Sequence, residues 1–162
     1  MPNWVNAYAK LKGRKEDVEE LFQFFLDPTK DNNPREDHTY FYRSFLEDII
    51  EETEEGDIKT IDFTFYIAWE MTNNLTGTDR THNCANLVEQ ATRLKVDVKI
   101  EGEEESYAFK QTIEINAFET DKPTWSTDYE EGEEYTCPNC EETDRFFMDS
   151  NKQCWNCNDE ME

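Results

Sequence analysis

Ile58-Lys59-Thr60-Ile61-Asp62-Phe63-Thr64-Phe65-Tyr66-Ile67-Ala68-Trp69 is the densest run of β-branched and aromatic residues in the chain, and it reads as a strand. Upstream of it, Trp4 to Leu11 alternates with period two. Trp4, Asn6, Tyr8 and Lys10 fall on one face and Val5, Ala7, Ala9 and Leu11 on the other, so a first strand is expected, ended by Gly13. From Arg14 to Asp27, Val18, Leu21, Phe22, Phe25 and Leu26 recur at helical spacing. Glu16, Asp17, Glu19 and Glu20 stand near the favoured end of the dipole, and Pro28 stops the helix. Thr29 to His38 is a polar loop with Asn32, Asn33 and Pro34. Tyr40 to Ile50 fits two templates, a helical stripe through Tyr42, Phe45, Leu46, Ile49 and Ile50 or a short strand over Tyr40 to Phe45. Glu51 to Asp57 is expected to be an acidic loop.

Downstream, Met71 to Asp79 is polar with Gly77 as a breaker. Thr81 to Lys95 predicts a second helix with Cys84, Leu87, Val88, Ala91 and Leu94 on one face. Val96 to Glu101 is a strand, Gly102 to Glu105 a tight acidic turn, and Tyr107 to Phe118 the returning strand of a hairpin. This order predicts an α+β domain over residues 1–120, a ferredoxin-like antiparallel sheet with helices on one face. Residues 121–135, with Pro123 and the run Asp128 to Glu134, are expected to be an acidic linker. Residues 136–162 are expected to be a small zinc ribbon.

The ribbon rests on spacing. Cys137-Pro138-Asn139-Cys140 and Cys154-Trp155-Asn156-Cys157 are two Cys-x-x-Cys pairs separated by Glu141 to Gln153. Two residues between cysteines let one turn present both sulfurs to one metal. Four thiolates at about 2.3 Å around a tetrahedral ion form a closed, structural Zn2+ site. The intervening segment returns as a short hairpin through Arg145 to Met148. So small a tail folds with the help of metal binding worth on the order of 10 kcal/mol. Iron in a rubredoxin-like site is the chemical alternative, but such sites carry Gly after the second Cys of each pair, where Glu141 and Asn158 stand here. Five cysteines, four of them paired and Cys84 left over, suit a reducing compartment better than a disulfide framework.

Charge restricts the partners. The 162 residues include 39 acidic and 16 basic ones, a net charge of -23. Four zinc-bound thiolates and one divalent cation would take it to about -25. Such a chain is repelled by nucleic acid and by anionic membranes, and its electrostatic partners are basic proteins. The ribbon segment itself is acidic, with only Arg145 and Lys152 as bases after the linker, which points away from DNA binding. No stretch approaches the roughly 18 to 20 apolar residues of a membrane helix. Met1-Pro2-Asn3-Trp4 lacks the regions of a signal peptide, so a soluble cytoplasmic protein is expected.

Catalysis is not expected. His38 and His82, the only two histidines, lie in polar settings. Cys84 follows His82 by two residues, but it falls on the apolar stripe of the expected helix, where a small buried thiol is ordinary. No phosphate loop, nucleophile elbow or His-Glu-x-x-His segment occurs.

The opening Met1-Pro2-Asn3-Trp4-Val5-Asn6, and the aromatic strand ending Ile67-Ala68-Trp69 followed by a helix and an acidic hairpin, resemble phage and plasmid proteins with a YubB-type ferredoxin-like domain. The resemblance covers residues 1–118. The cysteine tail departs from it, as does the segment after Trp69, which has no Trp-Gly-Thr-Lys-like run. It implies a mobile-element origin and the cytoplasm of a bacterial host, and it carries over no catalytic residue. Joined to the charge, it leads to one expectation. The protein is a nucleic-acid mimic that inhibits a basic nucleic-acid-binding host protein, for example as an anti-CRISPR. Its expected partner-binding carboxylates are Glu51, Glu52, Glu54, Glu55 and Asp57, then Glu103, Glu104 and Glu105, then Glu130, Glu131, Glu133 and Glu134. The alternative is a non-enzymatic adaptor whose ribbon docks a partner through Trp155, Phe146 and Phe147.

Overall fold

Every second side chain of Ile61, Phe63, Phe65 and Ile67 is buried, and each pairs antiparallel with a buried residue of the first strand, Leu11, Ala9, Ala7 and Val5. Around this pair the computed structural model describes residues 4–26, 40–68, 70–77, 84–104, 109–131, 133–136, 141 and 143–146, with the backbone alone for 133–135 and 143–146. The elements are β1 (Trp4–Arg14), α1 (Lys15–Gln23), β2 (Tyr40–Phe41), β3 (Ser44–Glu55), β4 (Ile58–Ala68), α2 (Met71–Thr76), β5 (Cys84–Ala85), α3 (Leu87–Leu94), β6 (Asp97–Glu104), β7 (Phe109–Asn116), β8 (Thr124–Glu131), β9 (Glu133–Thr136) and β10 (Thr143–Phe146). Six strands form one sheet in the order β3-β4-β1-β6-β7-β8, every neighbour antiparallel. With helices on one face, the fold is α+β. Among the described residues no helix is long and apolar enough to cross a membrane.

The helix-covered face is built in rows across the strands. One row is Ile61, Leu11, Val98 and Ile115, the next Phe63, Ala9, Ile100 and Ile113, the third Phe65, Ala7, Gly102 and Gln111. Large residues on β4 stand beside small ones on β1. Phe25, just past α1, fills the resulting hollow, with ring centroids 4.7 Å from Phe41, 4.9 Å from Phe63 and 5.0 Å from Phe65. Val18 and Leu21 of α1, Met71 and Leu75 of α2, and Leu87, Ala91 and Leu94 of α3 close the core.

Several expectations change. Residues 44–55 are one strand, β3, so neither the helical stripe over Tyr40 to Ile50 nor the acidic loop over Glu51 to Asp57 describes them. The register of β3 on β4 shifts between Leu46 and Asp48 and again between Ile49 and Glu51. Each bulge adds one residue, so Leu46, Ile49 and Glu52 all land on one face, and a spacing of three imitates a helix. Met71 to Thr76 is helical, because Gln111 Oε1 accepts from Met71 N at 2.9 Å and anchors that short turn to β7. The second helix starts at Leu87, where Asn86 accepts from Glu89 N at 3.1 Å as an N-cap. Cys84 therefore sits on β5, paired parallel with β2, and not on a helical stripe. Gly102 to Glu104 continue β6 and are not a turn. The expected linker contains β8, the outermost strand of the sheet. The hairpin expected to turn through Arg145 to Met148 is not the one found. Instead β10 runs through Arg145 to Phe146 and pairs back with β9, which lies mostly in the expected linker, in register from Thr136↔Thr143 to Glu133↔Phe146, while Phe147 and Met148 lie outside the described residues.

Candidate partner-binding surface

Among the described residues no helix covers the second face of the sheet, and its side chains also fall in rows. Glu51, Asp62, Lys10, Lys99, Glu114 and Ser126 lie across one level. Asp48, Thr64, Tyr8, Glu101, Thr112 and Asp128 lie across the next, and Phe45, Tyr66, Asn6, Glu103, Lys110 and Glu130 across the third. Only Lys10, Lys99 and Lys110 oppose the carboxylates of these rows, so the face is acidic. Its edges, β3 and β8, are about 24 Å apart at ~4.8 Å per strand step. A concavity of ≈ 580 Å³ opens near Asn6, Tyr8 and Thr64, lined also by Glu47, Glu101, Glu103, Asp128, Glu130 and Lys110.

Burial raises the Tyr8 hydroxyl above the ordinary tyrosine range, reinforced by its hydrogen bond to Asp62 and the charges of Asp62, Glu101 and Glu51. The Tyr66 hydroxyl, donating to Glu47, is raised as well, first by that hydrogen bond. Both shifts favour the protonated phenol, for Tyr8 first through burial and for Tyr66 first through its bond to Glu47.

The expected acidic residues divide sharply. Glu51, Glu52, Glu54, Glu55 and Asp57 are all exposed, along β3 and its turn into β4. Gly56 makes that turn at φ 62°. Glu52 and Glu54 point toward the helix side and share Lys59, whose Nζ lies 3.4 Å and 3.7 Å from them and 3.2 Å from Glu19. Lys15 reaches Glu54 at 3.4 Å. These glutamates are therefore partly neutralised, whereas Glu51, Glu55 and Asp57 have no ion pair among the described residues. Glu103 is half-buried and paired with Lys110 at 3.4 Å. Glu104 is only 3% exposed on the helix side, opposite Val5, and so is not part of a partner surface. Its neighbour in sequence points the other way because a strand, not a turn, runs through it. Glu130 and Glu131 are exposed on opposite faces of β8. The backbone of Glu133 and Glu134 lies in β9, and Glu105 lies outside the described residues.

Glu47, Asp48, Glu101 and Asp128 belong to the same acidic face and are missing from the expected set. Contiguous runs do not group them. Period two does, pairing Glu101 with Glu103 and Asp128 with Glu130.

Cys137, Cys140, Cys154 and Cys157 lie outside the described residues, as do His38, His82, Phe147 and Trp155. Among the described residues no group of three or more His, Cys, Asp or Glu side chains is placed to hold a metal. Cys84 is half-buried and in no disulfide. No protein-family model matches the chain, and no curated protein or solved structure matches it either.

Proposed function

We propose that this protein is an acidic binding module that occupies the nucleic-acid site of a basic protein. The observation that carries the reading is β3. Over the nine residues from Glu47 to Glu55 it presents six exposed carboxylates, Glu47, Asp48, Glu51, Glu52, Glu54 and Glu55. A strand rises ~3.4 Å per residue, so these charges recur about every 5 Å along the edge, with Glu52 and Glu54 on the helix side partly neutralised by Lys59 and Lys15. One DNA strand carries a phosphate about every 3.4 Å. The edge strand thus approaches the charge density of a phosphate backbone on a rigid scaffold, and the acidic rows of the open face extend it toward β8.

Two further parts of the reading have their own support. The succession β1, α1, β3, β4, α3, β6 with the spatial order β3-β4-β1-β6 follows the split β-α-β arrangement of a ferredoxin-like domain, to which β7 and β8 are added. For the tail, a structural zinc held by Cys137, Cys140, Cys154 and Cys157 is supported by the β9–β10 hairpin, whose connecting sequence contains Cys137 and Cys140. Glu141, directly after Cys140, takes φ 62°, the left-handed conformation that closes a tight turn. The ion would contribute folding free energy and no reaction chemistry.

The test is competition. A labelled DNA duplex bound to a basic DNA-binding protein is titrated with this chain at about 50 and 200 mM salt. Displacement at low salt that falls steeply at high salt is expected, with no binding of the chain to DNA. Glu51→Gln, Glu55→Gln and Glu130→Gln together should slow association, since steering acts before close contact. Absence of displacement at low salt would overturn the reading.

A further inference from the structure

The sheet ends in two edges that differ in kind. The β3 edge is broken by two register shifts and is lined with carboxylates on both faces. Bulges and charges of this sort keep an edge from pairing with another strand. The β8 edge has no register shift, and its carboxylates, Asp128, Glu130 and Glu131, are confined to its last four residues. Its eight residues, Thr124 to Glu131, stay in unbroken register with β7 from Asn116 to Phe109, and Pro123 stands just outside it. All eight are exposed, and β7 is its single sheet neighbour among the described residues. Trp125 and Tyr129, each 53% exposed, stand two positions either side of Thr127 on the helix side of the sheet. The Phe109 and Tyr129 rings stack at 5.6 Å.

We propose that β8 is a docking edge that takes up an extended segment of a basic protein as a seventh strand. This rests on the reading above and specifies how the basic partner is held. Main-chain hydrogen bonds along the regular edge supply the ladder, and alternate side chains supply the selectivity. On the open face the incoming strand meets Asp128 and Glu130, which select Lys or Arg at every second position. On the other face it meets Trp125 and Thr127, where an aliphatic side chain packs or an arginine stacks on the indole. A second copy of this chain does not fit the edge, because β8 carries Asp128, Glu130 and Glu131 and no base, within a chain of net charge -23.

The full-length protein is titrated with a synthetic peptide alternating Lys and Val, and with the same peptide N-methylated at every second amide. N-methylation keeps the charge and removes one edge of the ladder. Binding is expected to slow amide exchange along β8 and to weaken at least tenfold on methylation. Adjacent residues of a strand direct their N–H groups to opposite sides, so only one of Ser126→Pro and Thr127→Pro removes an outward donor without touching β7, and Tyr129 N, which donates to Asp128 Oδ1 at 3.0 Å, points to Thr127 as that one. The one that keeps the parent unfolding transition should lose binding tenfold or more. If both unfold, the methylated peptide still decides. Equal binding of the two peptides overturns the inference. So does a loss of binding on Glu51→Gln with Glu55→Gln while the folded proline variant binds normally, an outcome that leaves the acidic-module reading standing. No binding of either peptide at low salt overturns both. A concentration-dependent dimer abolished by the same proline variant makes the second copy the occupant and also overturns the inference.

Discussion

Lys59 Nζ, at the start of β4, donates to Glu19 Oε1 of α1 at 3.2 Å, fastening the first helix to the acidic hairpin. The lysine side chain is only 9% exposed, while Glu19, Glu52 and Glu54 around it are 44 to 48% exposed. Burial works against the ammonium, and the hydrogen bond from Lys59 to Glu19 together with the charge of Glu52 more than offsets it, raising Lys59 above the ordinary lysine value of 10.5. The lysine is what allows glutamates to crowd β3 on the helix side without mutual repulsion opening the hairpin.

Lys59→Met keeps the stem volume and removes the charge. Because the three carboxylates stay half-solvated, the loss should be modest, about 1 kcal/mol at pH 7 by urea unfolding. A group whose folded value is raised stabilises fully below its unfolded value. The difference between parent and variant should therefore persist below the ordinary value of 10.5 and vanish as pH rises through the higher folded value. A difference that grows with alkaline pH would contradict the assignment.

Gly102 is required by packing. A Cβ there would stand 2.8 Å from Met71 Sδ and 2.8 Å from Val5 Cγ1. Gly102→Ala should cost about 1–3 kcal/mol through overpacking. Adding Met71→Ala should recover part of that loss in a double-mutant cycle, since it empties the space the new methyl needs. Strict additivity of the two changes would show that the contact is not the cause.

Among the described residues four non-glycine residues hold left-handed backbone, Arg43, Lys95, Glu119 and Glu141, and two of them mark element ends of interest. Lys95 ends α3 at φ 55°, its N–H on the Ala91 and Thr92 carbonyls, and Glu141 takes φ 62°. Glycine adopts this conformation without the Cβ penalty, so Lys95→Gly and Glu141→Gly should each be neutral to stabilising, by up to about 1 kcal/mol. Thermal unfolding checks the first. Zinc retention against a chelator checks the second, and a weaker hold on zinc in Glu141→Gly would count against a knuckle turn there.

One zinc ion per chain is expected. Metal analysis should find full occupancy in Cys84→Ser and loss in Cys140→Ser, with the sheet domain of the latter still unfolding cooperatively, because among the described residues the core cluster extends no further than Ala117. A native Cys137–Cys140 disulfide would be incompatible with the site.

The sequence by itself determined what depends on one segment and its own period. Alternation in β1 put Val5, Ala7, Ala9 and Leu11 on one face, and they are the buried ones. The stripe of Leu87, Ala91 and Leu94 marked α3, and the antiparallel pair Val98 to Ile115 was legible as a hairpin. The net charge and the cysteine spacing also belong to the sequence alone. Only the tertiary structure decided β3, β8 and the acidic face. The bulges of β3 arise from its fit to β4, and they give Leu46 and Ile49 a spacing of three that no local rule distinguishes from a helix. An edge strand buries little, so β8 lacks the apolar alternation that would have announced it. Glu104 is buried and Glu103 half-exposed because β6 continues through them. The rows that join Asp48 to Asp128 cross strands far apart in sequence, and their members become neighbours only when backbone ladders set the register.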